Sequence, residues 1–292
     1  MTTTPLTALP EVKVEAPVQS NLPGFNVLLM GPAGTGKTHS IGTLVDSGME
    51  VFFLALESGM ESLLGYYRDT GKPIPVNLHW HKLDAPKASF MELIDSAQKI
   101  NSLSLESIAK MQDPNRGKHN QFVTLLTALN NFPDDRTGEK FGAVNTWGPD
   151  RCLVIDGLTG IGLAAMSLVI GGKPVKSQSD WGIAQDQVEK LLRMLCDGCS
   201  CHFVLLSHVE RETDAVLGGT KLMTSTLGRA LAPKIPSMFS DVILATRQGT
   251  KWCWDTASVM ADVKTRNLPI SGDINPDFAL IVKKWKARSS GG

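Results

Sequence analysis

Eight consecutive residues, Gly31, Pro32, Ala33, Gly34, Thr35, Gly36, Lys37 and Thr38, follow the pattern G-x-x-x-x-G-K-[ST]. Their types suit one chemistry. Glycines let backbone N–H groups close around a polyphosphate as an anion nest. The Lys37 ammonium can bridge its outer phosphates, and the Thr38 hydroxyl can take a place on Mg²⁺. A second candidate is Asp156, the last residue of the apolar run Arg151-Cys-Leu-Val-Ile-Asp156. A carboxylate delivered to a strand end beside such a loop is the usual second holder of the metal, so Thr38 and Asp156 form the expected metal pair.

Hydrolysis also needs a group that takes a proton from, or orients, the attacking water. Many ring motors carry a glutamate directly after the metal-binding aspartate, and here that position is Gly157. The nearest other carboxylate on an apolar strand end is Glu57, which closes Glu50-Val-Phe-Phe-Leu-Ala-Leu-Glu57. Gly157 and Glu57 together point to a RecA-like topology, in which that strand lies beside the aspartate strand.

These groups need a scaffold. Phe25–Met30 is an apolar run of strand length, and Lys37–Val45 suits a helix whose positive end faces the phosphates. Apolar strands are expected at 50–57, 76–80, 151–156 and 202–208, with amphipathic helices at 90–94, 122–129 and within 177–195. The last third reads as β-rich, with strands at 241–246, 251–255, 258–264 and 278–282. The expected fold is α/β: a RecA-like P-loop NTPase with a mostly parallel central sheet, flanking helices and a C-terminal antiparallel β extension. Residues 1–22 read as a mobile Thr/Pro-rich tail, with Glu11–Glu15 alternating like a strand. Residues 23–286 read as one ATPase domain, within which 88–150 is a helical and irregular elaboration, and 287–292 as a C-terminal tail.

The 292 residues are 42% hydrophobic, and 29 basic side chains balance 29 acidic ones. No global field therefore draws the chain to a polyanion, and any such site must be a local patch. No apolar run reaches membrane-spanning length and no signal-peptide core is visible, so a cytoplasmic protein without membrane contact is expected. Five cysteines without framework spacing suit a reducing compartment. His79 and His81, and the cluster Cys196, Cys199, Cys201 and His202, match no metal pattern; the thiols read as small buried side chains.

Several motifs carry a resemblance. Gly31–Thr38, Leu56-Glu57-Ser-Gly, Trp147-Gly-Pro-Asp-Arg-Cys-Leu-Val-Ile-Asp156-Gly-Leu-Thr159, Leu206-Ser-His208-Val-Glu and Val263-Lys-Thr-Arg266-Asn together resemble the bacteriophage RecA-like P-loop ATPases. These are core-only recombinase and single-strand-annealing proteins, nucleotide-binding proteins with an AAA domain. The resemblance covers roughly residues 22–285, and one departure is Gly157, where the family has serine. It implies Mg²⁺-dependent ATP hydrolysis, with Lys37, Glu57, Asp156 and His208 as catalytic residues and His208 as a sensor of the γ-phosphate. It implies a homo-oligomer, filament or ring, in which Lys264 and Arg266 reach a neighbour's nucleotide. It also implies single-stranded DNA as partner, with Lys173, Lys176, Arg211, Lys221 and Arg229 on the DNA-facing loops, and a single-strand DNA-binding protein as companion. The basic stretch Lys283–Arg288 is a further DNA candidate, in which Trp285 would stack on a base or pack on the core. Two other readings fit the phosphate loop: a nucleotide-gated scaffold or accessory ATPase of phage replication, and a small-molecule kinase. The kinase reading lacks an arginine cluster after His208.

Overall fold

The computed structural model describes residues 22–83, 89–111, 116–213 and 218–290. The expected strand Glu11–Glu15 and nearly all of the expected N-terminal tail lie outside them. In chain order the elements are β1 (Asn26–Met30), α1 (Lys37–Asp46), β2 (Glu50–Ala55), α2 (Met60–Asp69), β3 (Leu78–Lys82), α3 (Phe90–Ser102), α4 (Leu105–Lys110) and α5 (Gln121–Asn130). Then follow β4 (Arg151–Asp156), α6 (Leu158–Ile170), α7 (Gln178–Asp197), β5 (His202–Ser207), β6 (Val209–Thr213) and β7 (Thr220–Thr224). The chain ends with α8 (Ile235–Met238), β8 (Asp241–Gln248), β9 (Lys251–Asp255) and α9 (Phe278–Ser289).

Seven strands form one sheet in the order β3-β2-β4-β5-β1-β8-β9. All neighbours are parallel except β8 and β9, which form an antiparallel hairpin at one edge. This is the α/β fold of a P-loop NTPase, with the expected antiparallel extension. β6 and β7 make a separate antiparallel pair.

Both faces of the sheet are covered, which explains why its strands read as continuous apolar runs. Alternate residues such as Leu28, Phe52, Leu54, Leu153, Ile155 and Leu205 pack toward α5, α6 and α7. Their neighbours Val27, Leu29, Val51, Phe53, Val154 and Val204 pack toward α1, α2 and α9. The cores are therefore two layers separated by the sheet.

Two expected strands are corrected. Residues 278–282 open helix α9: Phe278, Ile281 and Val282 are buried at helical spacing, and the Asp277 carboxylate caps the helix by accepting the Ala279 N–H at 2.8 Å. The apolar run was short enough to pass for a strand, but its period is that of a helix. Residues 258–264 form no strand, only isolated bridges of Ala261 to Leu222 and Lys264 to Val242. β1 occupies one side of β8 and β9 pairs only as far as Leu244, so a single open position at Val242 is left for Lys264.

Candidate active site

The parallel order fixes which strand ends meet. β1 carries the phosphate-loop sequence from its end at Met30 and has β5 and β8 as neighbours. β4, ending in Asp156, lies between β5 and β2. Ala55 is the register partner of Asp156, so the chain leaving β2 delivers Glu57 beside it. The end of β5, which lies between β4 and β1, delivers His208 to the same edge of the sheet.

The loop wraps as its glycines predict. Gly36 has φ 76°, a left-handed conformation that favours glycine, and a Cβ there would stand 2.5 Å from the Trp252 indole. The Lys37 ammonium donates to the carbonyl oxygens of Gly31 at 2.7 Å and Pro32 at 2.8 Å. Burial lowers its pKa to about 8, against attraction from Asp156 and Glu57. A lysine folded over its own loop in this way holds a cation where a polyphosphate would lie.

The Thr38 hydroxyl donates to Asp156 Oδ2 at 3.0 Å. Burial pushes the Asp156 carboxyl up to about 6, against the Thr38 hydrogen bond. A nearly buried carboxylate beside a hydroxyl, without a cation in direct contact, is a donor set that fits Mg²⁺: two hard oxygens, with room for the nucleotide's own oxygens and waters. Among the described residues no group of three or more His, Cys, Asp or Glu side chains could hold a metal, so the fit is to a metal shared with phosphates and not to a protein cage.

Glu57 is fixed at both carboxylate oxygens. Oε1 accepts the N–H of Gly160 in the first turn of α6 at 3.2 Å, and His208 Nε2 lies 3.3 Å from Oε2. The helix N-terminus favours the anion there. Gly157 lies against this carboxylate, and a Cβ at that position would stand 2.8 Å from Glu57 Oε1 in its present place. The glycine that breaks the ring-motor pattern is thus the residue against which the Glu57 carboxylate lies.

A cavity of about 740 Å³ joins these groups. The phosphate loop from Ala33, Lys37, Thr38, Glu57, Asp156 and His208 line it, and α2 contributes Glu61, Ser62, Gly65 and Asp69. Two aromatic lining residues, His39 and Trp252, escaped the sequence reading, as did Ser62, Gly65 and Asp69 of α2. The Trp252 indole N–H donates to Gly34 O at 3.1 Å, and its ring meets His39 at 4.9 Å; His39 in turn meets Tyr66 at 5.0 Å. Burial lowers the His39 pKa, with Asp69 opposing it. The only sequence signal for Trp252 was the alternation Trp252-Cys-Trp254, which marks a strand and not its neighbour.

The remaining candidates lie elsewhere. Lys264 and Arg266 are exposed at the start of β8, the end of the sheet opposite the phosphate loop. Buried Asp241 anchors that turn by accepting the N–H groups of Arg266 at 2.7 Å and Asn267 at 2.9 Å. They are not brought to this chain's own site. The stretches expected as DNA-facing loops are largely regular: α6 starts directly after Gly157, and His208 leads into the β6–β7 hairpin. Three of their cations are paired, Lys173 to Asp180 at 3.4 Å, Lys221 to Asp262 at 2.7 Å and Arg229 to Glu212 at 3.6 Å. Lys176 lies 5.1 Å over the Trp181 ring, and Arg211 sits on β6 opposite Leu222. Trp285 packs edge-on against His202 at 4.5 Å and donates to Pro23 O, so it is part of the structure of α9.

His79 and His81 have the acidic partners that local sequence did not show: Asp134 at 3.0 Å and Asp135 at 2.8 Å. Cys196, Cys199 and Cys201 are buried free thiols. Among the described residues no helix is long and apolar enough to cross a membrane.

No curated protein matches the chain. A family model described as an AAA domain matches residues 24–268, which include every strand among the described residues and all of the residues lining the cleft. The chain belongs to the AAA-domain family, a family of nucleotide-binding ATPase domains of the P-loop type.

Proposed function

We propose that this chain binds ATP in the 740 Å³ cleft and hydrolyses it with Glu57 as general base, in the service of single-stranded DNA recombination or annealing in a bacteriophage. The observation that carries the hydrolytic part is the placement of Glu57. Its carboxylate lines the same cavity as Lys37, Thr38 and Asp156, yet it is set apart from the Thr38–Asp156 pair and held by Gly160 N–H and His208. Two carboxylates with separate partners can serve separate roles, one on a metal and one on water.

The residues divide the work. Backbone N–H groups of residues 33–38 and the Lys37 ammonium would hold the phosphates, and Thr38 and Asp156 would hold Mg²⁺, whose charge would offset that of the phosphates. Glu57 accepts a proton from water. His208 bridges Glu57 and the β6–β7 hairpin, whose base is closed by the Ser225 N–H donating to His208 O at 2.8 Å. A change at the phosphate end therefore has a short path to the hairpin. Homo-oligomerisation, with Arg266 and Lys264 serving a neighbour's site, agrees with their place on the far end of the sheet.

A second reading is favoured by the ion pairs of Lys173, Lys221 and Arg229. Cations already matched to carboxylates have less to gain from a phosphate backbone, and this suits a nucleotide-gated scaffold or accessory ATPase of replication without direct DNA contact. ATP turnover measured with and without single-stranded DNA separates the two. Stimulation supports the recombinase reading; turnover indifferent to DNA, with no DNA binding in either nucleotide state, supports the scaffold.

A further inference from the structure

The amphipathic helix α3 has no buried residue, although its sequence is patterned for burial. Phe90, Leu93, Ile94 and Ala97 stand at i, i+3, i+4 and i+7, followed by Ile100, and form one stripe. Phe90 is 86% exposed, Leu93 55% and Ile94 47%. The helix is also well specified as a helix. Ser89 accepts the Glu92 N–H and Glu92 accepts the Ser89 N–H, a complete capping box. The charged residues Glu92, Asp95 and Lys99 fall on the opposite face, so the stripe and its margins, Gln98 and Ser96, are uncharged. A stripe of this size left in water is unusual unless something covers it.

The same chain holds a surface of the complementary kind. A groove of about 610 Å³ runs between α5, α6 and α7, with Val123, Leu168, Val169 and Ile183 among its lining residues, together with the polar His119, Asn120 and Gln187. Val123 is 49% exposed and Ile183 52%, so two of its apolar walls face solvent. An apolar groove with polar residues beside it takes an amphipathic helix through anchors at i, i+3, i+4 and i+7, the spacing that α3 presents. The stripe residues carry no charge, and of the groove's lining residues only the half-buried His119 can take one.

We propose that α3 of one copy docks into the α5–α6–α7 groove of a second copy. The contact joins two different patches, so it is heterologous and leaves one free stripe and one free groove at the two ends of every open assembly. Such contacts propagate as a filament or close as a ring. The nucleotide cleft is lined by the phosphate loop, α2 and the strand ends and shares no residue with either patch, so assembly through α3 stands independently of the nucleotide reading.

Sedimentation or light scattering of the full chain and of two exposed-site variants tests this. Ile94→Glu places a charge in the stripe, and Ile183→Glu places one in the groove. Both side chains are half exposed, and circular dichroism and the melting midpoint of each variant establish that it folds. The wild type is expected to gain mass with concentration. Each folded variant alone should self-associate at least about tenfold more weakly. An equimolar mixture should yield a discrete dimer, because the intact groove of Ile94→Glu accepts the intact stripe of Ile183→Glu and growth stops there. A wild type that stays monomeric at all concentrations overturns the proposal and assigns the stripe to its own chain or to another protein. Variants that associate like the wild type overturn it as well. A mixture that stays monomeric overturns the heterologous contact, and an Ile183→Glu variant that associates like the wild type while Ile94→Glu does not overturns it in favour of stripe-to-stripe pairing.

Discussion

The backbone N–H of Glu57 donates to the carbonyl oxygen of Asp156 at 3.1 Å. The two acidic residues of the cleft are thus tied through main chain, at the point where β2 runs out beside β4. Their carboxylates are free to take different partners: Thr38 for Asp156, Gly160 N–H and His208 for Glu57. Replacing either side chain should leave the other in place, which makes single substitutions informative.

Glu57→Gln keeps the shape and the acceptor oxygen facing Gly160 N–H but cannot take a proton from water. Nucleotide affinity should stay near that of the parent while turnover falls by roughly two orders of magnitude. Equilibrium binding of a fluorescent ATP analogue and phosphate release, measured on the same preparation, check this. Parental turnover would transfer the base role to another carboxylate of the cleft, with Glu61 first in line.

Asp156→Asn gives a prediction of opposite sign for stability and function. The Asp156 carboxyl is raised by burial from 3.8 to about 6, so the folded chain holds this proton more tightly than the unfolded chain. Its contribution to stability is then fully present below pH 4 and is lost as pH rises toward 6. At about 1.4 kcal/mol per pH unit, the full penalty near pH 7.5 is of order 3 kcal/mol at most. Nucleotide-free Asp156→Asn should therefore melt higher than the parent at pH 7.5, and the gap should close near pH 4. Mg²⁺ with nucleotide should stabilise the parent and not the variant. A gap that does not change with pH would remove the electrostatic explanation.

Most of the sheet was legible because its strands are buried on both faces and three of them lead into residues of the candidate site. Phe25–Met30 leads into the loop, Arg151–Asp156 ends on the carboxylate proposed for the metal and Glu50–Glu57 ends on the proposed base. What was not legible depends on contacts between distant segments. Trp252 reaches the phosphate loop only because β9 pairs with β8 and β8 with β1, a relation that no local pattern encodes. The same holds for His79 and Asp134, which are far apart in sequence and meet at the sheet edge. α9 was misread for a different reason: its first five residues are apolar in a row, and only the longer window to Trp285, with Asp277 as cap, reveals the helical period.

Trp252→Ala tests the part of the cleft that sequence did not reveal. Losing the indole removes the hydrogen bond to Gly34 O and the ring beside His39, both of which hold the loop in shape before nucleotide arrives. One neutral hydrogen bond of about 1 kcal/mol corresponds to several-fold in affinity. The variant should bind ATP several-fold more weakly with turnover at saturation little changed. In the parent, tryptophan fluorescence should respond to nucleotide, and in Trp252→Phe this response should vanish. An unchanged response in Trp252→Phe would place the reporter at another tryptophan and the loop contact out of the binding event.

Arg266 is exposed on a turn anchored by Asp241, at the end of the sheet away from its own phosphate loop. If it acts on a nucleotide, that nucleotide belongs to a neighbour. Arg266→Ala subunits should then be inactive alone yet retain a competent phosphate loop, while Lys37→Ala subunits lack the loop cation and retain the arginine. Mixing the two should restore part of the turnover, since some interfaces pair an intact loop with an intact arginine. The mixture must be shown to co-assemble, for example by pulling down one tagged variant with the other. Recovery would assign Arg266 to the neighbour's transition state, where a cation on the transferring phosphoryl group is worth about 10³ or more in rate. Co-assembly without recovery would leave Arg266 as an exposed charge on a turn whose backbone, held by Asp241, serves the fold alone.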